Sequence, residues 1–304
     1  MADPASRSTP LRHHSAQMNV TAAMISVLAL IVALEAYTAV EPKDVRTRAV
    51  LRYNSVAVEV IQEGRGPLVV LLPSLGRDSE EFDPIAADVA AAGFHVVRPR
   101  PRGFGRSVGP MEQLTLHDLA RDVATAIEHE QAGPAIVVGH AFGHLVARTI
   151  ATDFPKLVKA VVLLGASQKT LNPEHRRWLT IAVDASQPES ERVKYLQLMF
   201  FAPGHDPRVW LTGFDASVLR SQLAASERTP QREYWSAGTV PLLDLQAEND
   251  PSRPRSTANE LVEELGADRV SVGVIPDASH ALIVEQPGLI AAAVVTYARR
   301  LPRF

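Results

Sequence analysis

The sequence predicts an α/β protein: a mostly parallel sheet, helices on both of its faces, and a helical cap inserted between two strands. Three observations carry this. Short apolar runs recur along the chain, bare at Leu68–Leu72 and Ala135–Val138 and interrupted only by Lys159 at Val158–Leu164. They lack polar alternation, as strands buried on both faces do. Helix-compatible stretches lie between them, which is the rhythm of parallel strands joined by crossovers. From Ser167 to Gly238 that rhythm stops.

The elements follow in order. Ala49 to Gln62 alternates and breaks at Asn54-Ser55, which reads as a β-hairpin. Leu68–Leu72 is a strand ending at Pro73. Glu80 to Ala92 has helical periodicity and stops at Gly93. His95-Val96-Val97 is the next strand. Leu116 to His129 is a helix with Thr115 as its N-cap. Ala135–Val138 is a strand, Gly143 to Phe154 a helix, and Val158–Leu164 a strand. The segment 167–238 carries Trp178, Tyr195, Met199, Phe200, Phe201, Trp210, Phe214 and Trp235, mostly in helix-compatible surroundings. The α/β rhythm resumes with a strand at Val240 to Gln246 and a helix at Ser256 to Leu265. A strand at Arg269 to Ile275 and a helix at Pro287 to Leu301 complete it.

With 46% hydrophobic and 21% charged residues, the 304-residue chain has the means for a large core. A net charge of −3 supplies no basic surface for nucleic acid. The absence of cysteine excludes disulfides, thiolate nucleophiles and cysteine-ligated metal. Residues 1–46 read as a polar leader followed by an uncharged apolar stretch, Val20 to Leu34. That stretch suits an export signal or an uncleaved anchor. The expected location is therefore exported or inner-membrane-anchored, with attachment through residues 20–34. A cytoplasmic chain, with an ordinary packed helix or a start at Met18, is the alternative.

The chemistry centres on Gly139-His140-Ala141-Phe142-Gly143, between a strand and a helix. Glycines two residues either side of a centre belong to a tight strand–turn–helix elbow. The central residue is held in a strained backbone conformation, and side chains at the glycines would collide with neighbouring strand and helix. Two later strands run into loops that offer Asp250 and His280. The order of elbow, acid and histidine is that of a hydrolytic triad.

With these residues the chain resembles the α/β-hydrolase superfamily over about residues 47–304, as a capped, esterase- or epoxide-hydrolase-like member. Arg102-Gly103-Phe104-Gly105-Arg106-Ser107 resembles the family's R-G-x-G-x-S turn. The resemblance implies a sheet of about eight strands, with core at 47–166 and 239–304 and cap at 167–238. It places the nucleophile position at Ala141, the acid at Asp250 and the base at His280. The oxyanion donors would be the backbone N–H groups of Leu75 and Phe142. Ser74, His140, Trp178, Phe201 and Trp210 are the expected substrate contacts. The implied partner is a small ester, acyl-type or related molecule, with no cofactor and no metal. His140 and His144 form an H-x-x-x-H without the glutamate of a zinc motif, and the pair straddles the turn.

Ala141 departs from the pattern, because a methyl group cannot attack a carbonyl. Loss of the serine costs a serine protease about 10⁶ in turnover. Three readings are open: a serine exchanged for alanine in a functional hydrolase, an enzyme using Asp250–His280 for hydrolysis or other proton chemistry, and a non-catalytic ligand-binding protein. Other departures sit nearby: Pro73-Ser74 for His-Gly, Arg100 for aspartate, His144 for glycine and Ser279 for glycine. Together they favour natural divergence. Ser74 and Ser279 are the hydroxyls expected near the site, but neither sits on an elbow. Arg98, Arg100 and Arg102 read as a solvated face with one structural arginine, with binding of a substrate carboxylate as the alternative.

Overall fold

The computed structural model describes residues 46–169 and 173–302. The chain enters through a hairpin of β1 (Thr47–Tyr53) and β2 (Val56–Glu63), turned at Asn54 and Ser55. The parallel strands are β3 (Leu68–Leu72), β4 (His95–Pro99), β5 (Ala135–His140), β6 (Val158–Leu164), β7 (Leu242–Ala247) and β8 (Val270–Ile275). Among the described residues the sheet has eight strands in the order β1-β2-β4-β3-β5-β6-β7-β8. β1 and β2 are antiparallel, β2 meets β4 antiparallel, and the rest is parallel. Such a sheet needs apolar cover on both faces. One face receives α1 (Asp83–Ala91) and α9 (Pro287–Arg300); the other receives α2 (Leu116–Glu130) and α3 (Gly143–Asp153). Residues of β3 divide accordingly: Val69 and Leu71 face the first pair, Leu68, Val70 and Leu72 the second.

Local signals explain most boundaries. Thr115 and Asp118 make a reciprocal capping box at the start of α2. The helix expected over 80–92 is instead a 3₁₀ turn, Ser79–Phe82, followed by α1. Pro84 in the first turn of α1 has no N–H to continue an earlier helix. Likewise 256–265 divides into a 3₁₀ turn at Arg255–Thr257 and α7 (Glu260–Leu265). A short helix that the pattern did not announce, α8 (Leu282–Glu285), directly follows His280.

Between β6 and β7 lies the helical cap, with α4 (Pro173–Val183), α5 (Glu189–Phe200) and α6 (Ala216–Arg228). It has its own apolar cluster, built on Leu196, Met199, Phe200, Phe201 and Trp210.

The arginine reading needs correction, because none of the three makes a solvated face. Arg98 is fully buried and pairs with Glu63 and Asp83. Arg102 is buried and grips both oxygens of Asp122 at 2.9 Å. Arg100 reaches Glu59 at 2.9 Å and Asp78. The cause is position: β4 lies between β2 and β3, so charges on and just after it are buried and require partners. The same glutamate, Glu59, accepts from the backbone N–H of Arg106 at 2.7 Å and so anchors the glycine turn after β4.

Candidate active site

The C-terminal ends of parallel strands are where loops from several strands converge. Here the loop after β5 is the elbow. Ala141 has φ +45°, a left-handed conformation that costs a non-glycine residue about 1 kcal/mol or more. Its N–H donates to Leu164 O on β6 at 2.9 Å, and its carbonyl accepts from His144 N at 3.0 Å. The flanking glycines are sterically required. A Cβ on Gly143 would lie 2.7 Å from Pro73 O, and one on Gly139 would lie 2.6 Å from His144 N.

The loops after β7 and β8 bring Asp250 and His280 together. His280 Nδ1–H donates to Asp250 Oδ2 at 2.8 Å. The other carboxylate oxygen accepts from Ser252 N at 2.7 Å. The Asp250 side chain is fully buried. Burial works against the imidazolium of His280. The charge of Asp250, its hydrogen bond and the charge of Glu285 outweigh that and raise the pKa above the ordinary histidine value. With Nδ1 committed to Asp250, the proton acceptor left to a neutral His280 is Nε2. Gly165, directly after β6, turns the chain beside the pair with φ +54°, and a Cβ there would lie 3.0 Å from the Leu282 side chain. Glu285 on α8 fixes the histidine loop by accepting from Ser279 N and from Ala202 N of the cap, each at 2.6 Å.

A cavity of about 440 Å³ lies between elbow and cap, in the usual range for a small-molecule site. Ala141, His280, Leu75 and Phe142 all line it. Among the described residues, neither the Leu75 N–H nor the Phe142 N–H has a hydrogen-bond partner. The loop that carries Leu75 is clasped on both sides. Gly76 N donates to Gln222 Oε1 of the cap at 2.7 Å, and Ser74 N donates to Glu81 Oε1 at 3.2 Å. Glu81 is buried and also pairs with Arg77, whose guanidinium stacks 4.5 Å from Trp210.

Of the expected substrate contacts, Ser74 and Trp210 line the cavity. His140 stands behind its wall: it is fully buried, and its Nε2–H donates to the His280 carbonyl at 2.8 Å. Phe201 packs edge-on against Trp210 at 5.3 Å, and Trp178 stacks on His175 at 5.4 Å; both sit outside the lining. Residues that sequence reasoning did not assign to the wall include Met199, Phe200, Phe214, His144 and His175. The spacing of Leu196, Met199 and Phe200 on α5 was a usable signal for an inward face. Glu81 and Gln222 had no local signal, because their partners are distant in sequence. Among the described residues no group of three or more His, Cys, Asp or Glu is placed to hold a metal ion.

A family model described as serine aminopeptidase, S33, matches residues 65–287, most of the chain. The chain belongs to this family. Among curated relatives, pyrrolizixenacetamide deacetylase of Xenorhabdus hominickii is 36% identical over 116 residues, 38% of this chain and 44% of that protein. The 2-(acetamidomethylene)succinate hydrolase of Mesorhizobium japonicum is 30% identical over 109 residues, 36% of this chain and 39% of the relative. These matches thus span less than half the length of either relative. The mouse (Mus musculus) serine hydrolase BPHL is 23% identical over 250 residues, 78% of this chain and 81% of its own. Among solved structures, an E-2-(acetamidomethylene)succinate hydrolase superposes with a TM-score of 0.68 at 20% identity, covering 84% of this chain and all of that one. An esterase from Exiguobacterium antarcticum gives 0.69 at 17% identity, with 83% and 100% covered. At such identities the likeness is one of fold: the capped α/β-hydrolase architecture.

One expectation is overturned. Export or anchoring in the inner membrane finds no support in the structure: among the described residues no helix is long and apolar enough to cross a membrane. The apolar stretch 20–34, on which that expectation rested, lies outside the described residues.

Proposed function

We propose that this S33-family chain is an enzyme that cleaves an acyl bond in a small, largely apolar molecule by base-catalysed attack of water, without an acyl-enzyme. Asp250 orients His280. His280 Nε2 takes a proton from water, and the hydroxide adds to the substrate carbonyl carbon. The resulting oxyanion is held by the N–H groups of Leu75 and Phe142. Collapse expels the leaving group, which takes the proton back from His280. Ala141 occupies the nucleophile's position, and its methyl packs beside the carbonyl. Ser74 and Trp210 contact the substrate; His140 serves indirectly, by holding the His280 main chain.

The observation that carries this reading is the 2.8 Å Nδ1–Oδ2 contact between His280 and a fully buried Asp250 carboxylate, at the wall of a largely apolar cavity. Burying a carboxylate is costly without such a partner. The relatives support an acyl bond, since one is named a deacetylase and another a hydrolase of an acetamidomethylene compound. A peptide with a free amino terminus is a poorer fit. Among the described residues no Asp or Glu lines the cavity to receive an ammonium group.

The test is a panel of small esters, amides and lactones assayed with intact protein, His280→Ala and Ala141→Ser. Intact protein turns over at least one compound, and His280→Ala abolishes that turnover. Ala141→Ser gains a hydroxyl beside a poised histidine and is labelled covalently by a serine-directed phosphonate, read by mass spectrometry. A folded Ala141→Ser that stays unlabelled sinks the reading. Ligand binding by intact protein and His280→Ala alike, with no turnover by either, would make the chain a binding protein.

A further inference from the structure

His144 stands one helical turn beyond Ala141, in the first turn of α3, and its main-chain N–H donates to the Ala141 carbonyl at 3.0 Å. Its side chain is 2% exposed, yet it lines the cavity. Nδ1 is sealed and has no hydrogen-bond partner in any other residue among those described. Nε2 is the ring nitrogen left to reach the cavity. Burial, then the charges of Arg148, Arg253 and His280, hold its pKa well below the ordinary value, so the ring is neutral. A neutral imidazole carries one N–H, and a buried N–H without an acceptor is the rarer kind of orphan. The proton therefore belongs on Nε2, aimed at whatever fills the cavity. The turn requires glycine at 139 and 143, and the position after it, 144, carries the imidazole.

We propose that His144 is a substrate-contacting residue, whose Nε2–H donates to a second acceptor oxygen lying next to the reacting carbonyl. The inference rests on the reading of the cavity as the substrate site. It narrows the substrate class to acyl compounds with a second acceptor beside the scissile carbonyl, such as α-oxo esters or α-oxo amides, carried on an apolar or aromatic body. The reacting carbonyl meets the Leu75 and Phe142 N–H groups, and the second meets His144. The apolar body lies against Phe200, Trp210 and Phe214, which line the same cavity.

Binding of two matched, non-hydrolysable probes tests this without any turnover. 1-Phenylpropane-1,2-dione has two adjacent carbonyls; propiophenone has one. Calorimetric titration of the full chain should show the dione binding about tenfold more tightly, the value of one buried hydrogen bond. His144→Leu should erase that preference while still binding propiophenone, and His144→Gln, which keeps a donor, should restore part of it. Side-chain ¹⁵N spectra provide a measure that does not depend on the leucine variant folding. They should show the Nε2–H tautomer of His144, shifted by the dione and unmoved by propiophenone. Equal affinity for the two probes, a preference that survives His144→Leu, or a His144 signal indifferent to both would overturn the proposal. His280→Ala should keep the dione preference while losing turnover. A preference that persists beside an unlabelled Ala141→Ser would defeat the hydrolytic reading and leave this one standing.

Discussion

The two ends of the cavity floor are unequally equipped. At one end, the loops after β7 and β8 keep a complete acid–histidine pair, with both carboxylate oxygens of Asp250 committed at 2.7–2.8 Å. At the other, the elbow after β5 keeps its full backbone geometry, including φ +45° at Ala141 and glycines that no larger residue can replace, but its centre bears a methyl group. Backbone shape and side-chain chemistry have thus separated within one site. A left-handed non-glycine residue persists only where its surroundings enforce it. The β5–α3 junction does so whether residue 141 has a hydroxyl or not. The Asp250–His280 pair has no such packing reason to persist, since a buried ion pair is seldom worth more to stability than apolar residues of equal volume. Its retention is the argument for function.

The largest expected effect comes from breaking the equipped end. In Asp250→Asn the amide donates to His280 Nδ1 where the carboxylate accepted, so the ring takes the wrong tautomer and Nε2 ceases to be a base. Turnover of the compound identified from the ester, amide and lactone panel should fall about 10⁴-fold, as in serine proteases. The His280 pKa, followed by NMR, should drop. Burial then acts against the imidazolium without the charge and the hydrogen bond of Asp250 to outweigh it. An unchanged His280 titration would show that the pair is not electrostatically joined, and the contrast between the two ends would disappear.

A smaller effect probes the elbow. Gly143→Ala would place a methyl 2.7 Å from Pro73 O, and nothing at that distance is a flexible side chain. Stability should fall by about 3 kcal/mol or more, read from the urea midpoint at unchanged slope. Ala141→Gly, which relieves the left-handed strain, should raise stability by up to about 1 kcal/mol. If Gly143→Ala is neutral, the elbow is not enforced by packing, and its survival would need the same functional explanation as the dyad.

What the sequence revealed of this contrast follows the same division. The elbow was legible because glycine spacing reports backbone shape directly, and Asp250 and His280 were legible because each sits in a loop that follows a strand of the resumed α/β rhythm. The cap was legible as a helical interruption but not as a surface. Trp178 and Phe201 looked like pocket residues, yet the docking of α4 and α5 puts Met199 and Phe200 on the wall instead. An aromatic count says nothing about which face of a helix turns inward. The arginines after β4 misled for a related reason. A charge on a strand reads as solvent-facing until the strand order buries it, and Arg98 lies in a strand flanked on both sides. Glu81 and Gln222, which hold the Leu75 loop, depend on contacts across the fold that no local pattern encodes.

The smallest expected effect separates the two histidines that face the cavity floor. The His280 pKa is raised in the folded protein, where burial is outweighed by Asp250 and Glu285. Its stabilisation is therefore fully present below the unfolded value of about 6.5 and is lost as pH rises through the folded one. His144 is held low, by burial and then by Arg148, Arg253 and His280. Its contribution has the opposite sign: present above about 6.5 and lost as pH falls from there toward the folded value. The melting temperatures of intact protein, His144→Leu and His280→Gln, compared at about pH 7.5 and about pH 5.5, should resolve the two. Removing His144 should lessen the loss of stability on acidification, and removing His280 should deepen it, each by a few degrees. The same shift bears on catalysis. A base must be neutral, so turnover should rise with pH along a limb set by the raised His280 value, above the ordinary histidine value of about 6.5. A limb below it would mean that a different group is the base, and the equipped end of the site would have to be sought elsewhere.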